Sequence, residues 1–168
     1  MDGEVVHPLL ALLDELGIAD DTIVMYSTDN GAEAMSWPDG GTTRYRGEKN
    51  TNWEGGYRVP AMVRWPGKIA PGRISNQVMS HLDWLPTLMA AAGDSDIVPK
   101  LKKGFRPAGK NFKVHLDGYN FLPFLTGETE QGPRREFFYF SDDGMLLGTR
   151  IGDWKLVFAE QRSKRFDV

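Results

Sequence analysis

The 168-residue sequence contains no cysteine, no long apolar run and no excess of basic residues. Without cysteine there is neither a disulfide framework nor a thiolate nucleophile, and zinc-thiolate sites are excluded. No apolar segment approaches the ~20 residues that a membrane-spanning helix needs. The formal net charge of -3 offers no overall attraction to nucleic acid. The sequence therefore predicts a protein with no nucleic-acid partner and no membrane partner.

The length is that of one ordinary domain, long enough to bury a core. Residues 1–4 lack the basic region and apolar segment of a secretory signal, so none is expected in this sequence.

A short apolar run at residues 23–28 stops at Asp29, Asn30 and Gly31. Its β-branched and aromatic residues predict a strand covered on both faces of a mostly parallel sheet. Ligands gather beyond the carboxyl ends of such strands, and a carboxylate beside an amide carbonyl suits Ca²⁺ or Mg²⁺. Asp-Asn-Gly is also a common turn sequence, so a plain turn is the alternative interpretation.

A helix is predicted over residues 5–16, where apolar side chains recur at helical spacing. Pro8 is compatible with this helix if it lies in the first turn, and Gly17 is placed to cap the carboxyl end.

The segment 32–57 has neither helical nor strand periodicity, and loops of this length are usually functional or disordered. Tryptophan and tyrosine anchors favour an ordered loop. Arg44, Arg46 and Lys49 bring positive charge near the turn at Asp29, where they could hold a sulfate or phosphate group. A solvated surface lysine is the alternative for Lys49.

The remainder of the chain predicts an α/β portion followed by a small antiparallel sheet. We expect a strand at 57–65 limited by Pro60, a helix near 84–93 capped by Asp83, and a short helix at 121–125 ending at Gly127. Three strands over 136–159 complete the pattern. The predicted segments are 1–93, the α/β portion; 94–118, a basic surface connector; and 119–168, the short helix and the antiparallel sheet.

Several motifs together resemble the second half of the arylsulfatase family, within the alkaline phosphatase-like superfamily. They are YSTDNG at 26–31, RGEK at 46–49, EGGYRVP at 54–60, WPGK at 65–68, DWLPTL at 83–88, DG at 117–118 with LP at 122–123, and GDWKL at 152–156. The resemblance covers nearly the whole chain, and the order of the motifs makes it specific. It implies the C-terminal part of an alkaline phosphatase-like α/β sandwich with a small antiparallel β appendix.

The resemblance also implies a chemistry. The family hydrolyses sulfate esters with a Ca²⁺ ion and a formylglycine made from a C/S-x-P-x-R motif. Asp29 and Asn30 match a late pair of metal ligands, and Lys49 matches the lysine that contacts sulfate. A cation and an ammonium group stabilise charge on the sulfuryl oxygens.

The first half of the family pattern is missing from this sequence. Ser36-Trp37-Pro38 starts like the modification motif, but Gly40 replaces the required arginine. We therefore expect a C-terminal portion of an arylsulfatase, inactive alone, with weak or absent Ca²⁺ binding. A phosphodiesterase or phosphonate hydrolase of the superfamily, or a non-catalytic polyanion-binding or protein-binding module, is the alternative. The apolar strand at 23–27 would lose neighbours in such a portion, which predicts a homo-oligomer.

Overall fold

The chain begins with helix α1, Asp2–Glu15, in a computed structural model that describes residues 2–33 and 41–162. The predicted helix is confirmed. Gly17 has a φ of +67°, its N–H bonds Asp14 O at 3.1 Å, and the Ile18 N–H bonds Leu13 O at 3.1 Å. This confirms Gly17 as the cap, because glycine adopts the left-handed conformation without strain.

The placement of Pro8 in the first turn was wrong. Helix α1 starts at Asp2, ahead of the apolar pattern, so Pro8 lies inside the helix. A proline there removes one backbone donor from the helix.

Strand β1, Val24–Ser27, pairs antiparallel with β2, Ala61–Arg64, from Val24 opposite Arg64 to Ser27 opposite Ala61. Both strands were predicted, and Pro60 lies directly before β2 as expected. The parallel pairing predicted for β1 was wrong for the described part of the chain, whereas exposed apolar side chains on β1 are what the expected loss of neighbours predicts. There β1 has β2 as its partner, and Met25 and Tyr26 are 43% and 38% exposed. Apolar composition alone does not specify the partner strand or what covers it.

Three further strands form the predicted antiparallel sheet in the order β3-β4-β5. They are β3, Glu136–Phe140; β4, Leu146–Ile151; and β5, Trp154–Val157. Against this sheet lies a single helical turn, α2, Glu54–Tyr57. The Tyr57 ring contacts the Tyr139 ring edge-on at 4.8 Å, and its hydroxyl donates to Phe140 O at 2.9 Å.

These elements belong to one compact unit, Met1–Pro66 with Glu136–Val168, while Gly67–Arg135 forms a second. The second unit contains three helices: α3, Trp84–Ala91; α4, Ile97–Lys103; and α5, Leu122–Thr126, which ends at Gly127 as predicted. Its core includes the buried side chains of Ile97, Leu101, Phe121 and Phe124. Helix α4 falls in the segment that the sequence suggested as a connector; the three-segment division itself stays a prediction. No helix within the described ranges is long and apolar enough to cross a membrane.

A buried ion pair lies at the centre of the second unit. Asp83 is fully buried and accepts from Arg134 through two nitrogens, at 2.6 and 2.8 Å. It also accepts from the backbone N–H groups of Ser80 at 2.7 Å and Tyr119 at 2.8 Å. Asp83 lies at the N-cap position of α3, as predicted, but its side chain makes no capping hydrogen bond to that helix because Arg134 and the two backbone N–H groups engage the carboxylate.

Candidate functional site

The turn that follows β1 carries the two predicted metal ligands. Asp29 is exposed, and its Oδ1 accepts from the Asn30 amide and from Thr28 Oγ1 at 3.3 Å. The hydrogen bond from Asn30 is the main reason that the pKa of Asp29 lies below its ordinary value. Asp29 therefore presents an ionised carboxylate at neutral pH.

Lys49 belongs to a segment that we call the lysine loop, residues 47–53, and this loop lies against the turn after β1. The Lys49 N–H donates to Ala32 O at 3.0 Å, and the Gly31 N–H donates to Gly56 O at 2.9 Å. Lys49 Nζ lies 4.0 Å from Glu33 Oε2, and the lysine side chain is 42% exposed. The structure thus brings the Lys49 backbone to the segment that directly follows Asp29 and Asn30.

Glycine makes this close approach possible. A Cβ on Gly31 would lie 1.8 Å from Gly55 O, and a Cβ on Gly55 would lie 2.1 Å from Gly47 O. A Cβ on Gly56 would lie 2.5 Å from Glu48 O. Each of these atoms belongs to the backbone, which cannot rotate away as a side chain can. A side chain at Gly31 would push α2 away from the turn after β1, and a side chain at Gly55 or Gly56 would push the lysine loop away from α2.

Lys49 is presented by a tight turn within the loop. Thr51 Oγ1 donates to Glu48 O at 2.7 Å and accepts from the Glu48 N–H at 3.2 Å. Asn50 completes the turn with a φ of 66°, a conformation that asparagine tolerates better than most residues.

The chemistry of Asp29 and Asn30 suits a hard divalent cation, because both side chains carry oxygen donors. They supply two donors where Ca²⁺ takes six to eight. Among the residues that the structure describes, no group of three or more His, Cys, Asp or Glu side chains could hold a metal ion. The decoy motif at 36–38 and Gly40 lie outside the described residues.

A charged cluster centred on Glu54 was not predicted from the sequence. We call it the anchor network: Glu54, Tyr139, Arg150 and Lys155. Glu54 Oε1 accepts from Tyr139 OH at 2.9 Å and from Lys155 Nζ at 3.0 Å. Glu54 Oε2 pairs with Arg150 at 3.0 Å. Sequence reasoning gave Glu54 no role, since these partners are distant in sequence; the paired glycines after it were the available signal of close packing.

The anchor network shifts the pKa values of its members. Burial would raise the pKa of Glu54, but hydrogen bonds from Lys155 and Tyr139 and the nearby positive charges outweigh burial, so it is lowered. Burial lowers the pKa of Lys155 and, with Glu54 adjacent, raises that of Tyr139 to about 12. At neutral pH the network therefore holds one carboxylate between two cations and a neutral phenol.

The family follows from comparison with known proteins. The Sulfatase family model matches residues 3–94, more than half of the chain, and the chain belongs to the sulfatase family. This family binds a divalent metal and hydrolyses sulfuric esters.

Individual relatives are arylsulfatases and related enzymes. The chain is 35% identical to Arylsulfatase A of Homo sapiens, over 97% of this chain and 30% of that protein. It is 31% identical to an Arylsulfatase of Hemicentrotus pulcherrimus, over 98% of this chain and 27% of the relative. The chain thus spans about 30% of the length of such relatives.

A solved sulfatase has the same fold. The crystal structure of PsFucS1 sulfatase from Pseudoalteromonas sp. superposes with a TM-score of 0.77 at 29% identity, over 92% of this chain and 28% of that one. The predicted fold class, part of an alkaline phosphatase-like sulfatase fold with a small antiparallel sheet, is confirmed.

Proposed function

We propose that this chain supplies part of the sulfate-ester site of an arylsulfatase, with Asp29 and Asn30 as ligands of a divalent cation and Lys49 as the sulfate-contacting residue. The observation that supports this is the backbone pairing of the lysine loop with the segment after β1. Two oxygen donors and one primary ammonium group thereby belong to neighbouring segments. Hydrolysis of an aryl sulfate is the activity of the whole protein to which this portion contributes.

The roles follow from charge. When bound, the cation supplies Lewis-acid stabilisation of negative charge on the sulfuryl oxygens. Asp29 and Asn30 would hold the cation through their side-chain oxygens, and the ionised state of Asp29 favours binding at neutral pH. Lys49 places a compact positive charge opposite a sulfate oxygen, where it stabilises charge that develops in the transition state.

The site is testable in this chain by nuclear magnetic resonance. We expect Mn²⁺, used as a paramagnetic probe in place of Ca²⁺, to broaden the amide signal of Gly31 more strongly than signals elsewhere. The variant Asp29→Asn should reduce this broadening, whereas Asp143→Asn, a matched change in another Asp-Gly-containing turn, should not. Equal broadening in both variants would exclude Asp29 as a ligand.

Sulfate provides the second probe. We expect it to shift the amide signals of the lysine loop weakly, with the shift absent in Lys49→Met and retained in Lys68→Met, a control on an exposed lysine. Retention of the loop response in Lys49→Met would contradict the assignment.

Calorimetry should show Ca²⁺ affinity weaker than micromolar, because two ligands leave most positions to water. We also propose that the chain alone has no turnover with a chromogenic aryl sulfate and Ca²⁺, since its sequence contains no C/S-x-P-x-R motif. Robust turnover lost in Asp29→Ala would contradict this proposal.

A further inference from the structure

The lysine loop has little secondary structure of its own, so its position depends on what lies on either side. On one side, the Lys49 N–H donates to Ala32 O, and the adjoining helical turn α2 accepts at Gly56 O from the Gly31 N–H. On the other side, Asn52 bonds both the segment that follows β5 and Lys155 of β5 itself. A segment held at both ends has fewer accessible conformations than one held at a single end.

This attachment to β5 and to the segment after it consists of several hydrogen bonds and is partly buried. Asn52 is fully buried, donates to Ala159 O at 2.8 Å and accepts from the Gln161 N–H at 2.9 Å. Lys155 Nζ donates to Asn52 O at 2.7 Å as well as to Glu54. One ammonium group therefore joins a loop carbonyl and the carboxylate at the start of α2.

Glu54 supplies the negative charge that balances the cationic side chains of this attachment. Arg150 and Lys155 both face its carboxylate, at 3.0 Å each, and Arg58 Nε lies 3.6 Å away. Without the carboxylate, two partly buried cations on neighbouring strands would face each other uncompensated. Removing one partner of such a cluster costs more than the cluster itself contributes.

We propose that Glu54 is a positioning residue for Lys49. Through Lys155 and the C-terminal sheet, Glu54 fixes the lysine loop against the turn after β1. This role rests on the proposed function of Lys49. Glu54 itself is assigned no contact with the cation or the sulfate. The C-terminal sheet is then part of the site's support, although the donors assigned above to the cation and the sulfate lie outside it.

Amide hydrogen exchange on the full chain tests this role at two reporters, the N–H groups of Gly31 and Lys49. In Glu54→Gln we expect both to exchange roughly tenfold faster or more, since a charge-assisted cluster is lost. Amides of β1 that bond β2 serve as the internal reference and should change less. Asp153→Asn, in the β4–β5 turn of the same sheet, is the matched control and should leave both reporters unchanged.

A milder variant covers the case in which Glu54→Gln unfolds. Tyr139→Phe removes one hydrogen bond to Glu54 and keeps every charge, so we expect a smaller increase at the same two amides. The proposal is overturned if, in whichever variant folds, the exchange rates of the Gly31 and Lys49 amides rise no more than those of the β1 reference amides.

The sulfate response separates a positioning role from a general structural one. In Glu54→Gln the shift of the Lys49 signals with sulfate should weaken although Lys49 is intact, and Glu54→Asp should restore part of it. Lys49→Met should abolish the sulfate response without faster exchange at Gly31. If sulfate does not shift the Lys49 signals of the wild-type chain, the proposed function is refuted. The exchange data would still decide the positioning role.

Discussion

Substitution of Gly31 by alanine tests whether close backbone packing fixes the lysine loop. The new Cβ would lie 1.8 Å from Gly55 O, 2.7 Å from the carbonyl carbon and 2.9 Å from Gly56 Cα. The helical turn α2, which carries Gly55, would have to retreat by about 1.2 Å for Gly55 O to reach even a close contact distance. Such a displacement stretches the 2.9 Å hydrogen bond from the Gly31 N–H to Gly56 O beyond a useful length.

The expected cost combines these two effects. Overpacking costs ~1–3 kcal/mol and a lost hydrogen bond ~0.5–1.5 kcal/mol, so the free energy of unfolding should fall by about 2–4 kcal/mol. Urea denaturation followed by circular dichroism measures this difference. Gly17→Ala is the control, because Gly17 has a positive φ but open space around it. Its cost should be about 1–2 kcal/mol, from backbone strain alone.

Comparison of the unfolding free energies of the two variants tests this backbone packing. If Gly31→Ala costs no more than Gly17→Ala, α2 is not packed backbone to backbone against the turn after β1. Faster exchange of the Lys49 amide in Gly31→Ala would locate the damage at the lysine loop.

Three further predictions concern other parts of the chain. Tyr139 should titrate with a pKa of about 12, against an ordinary value of 10.0. The stability that its neutral phenol gives the folded state is therefore complete below pH 10 and lost as the pH rises through about 12. The ultraviolet difference absorbance of the chain and of Tyr139→Phe measures this titration. Arg134→Met should lower the free energy of unfolding by about 3–5 kcal/mol, because Asp83 keeps a buried charge without its cation; a loss below 1 kcal/mol in chemical denaturation would contradict that reasoning. Light scattering should detect self-association through the exposed apolar side chains of α1 and β1, with a second copy as the partner, and Leu12→Gln should weaken it; a monodisperse monomer that binds no hydrophobic dye would refute this prediction.

Local features were predictable because their causes are local. The strand before Asp29 and the cap at Gly17 depend on the residues within and beside each element, and both were found where expected. Pro8 was misplaced because the apolar pattern marks the buried stripe of a helix and not its first residue.

Features set by distant partners were not predictable in the same way. Asp83 resembles a helix cap in sequence, but Arg134, 51 residues later, takes its carboxylate. Glu54 meets Tyr139 across 85 residues and Lys155 across 101. No spacing rule connects such residues, so the family resemblance indicated Lys49 as a candidate without indicating which residues hold its loop.

The distance in sequence between Glu54 and its partners also sets an order of events during synthesis. The lysine loop leaves the ribosome well before Tyr139 and Lys155, and at roughly 5–20 residues per second the delay is about 5–20 seconds. During that interval Glu54 has neither partner, and closing so long a connection is entropically slow. Glu54 therefore gains its contact with Lys155 only after β5 has been made, so a nascent chain that stalls before β5 carries the lysine loop without that attachment.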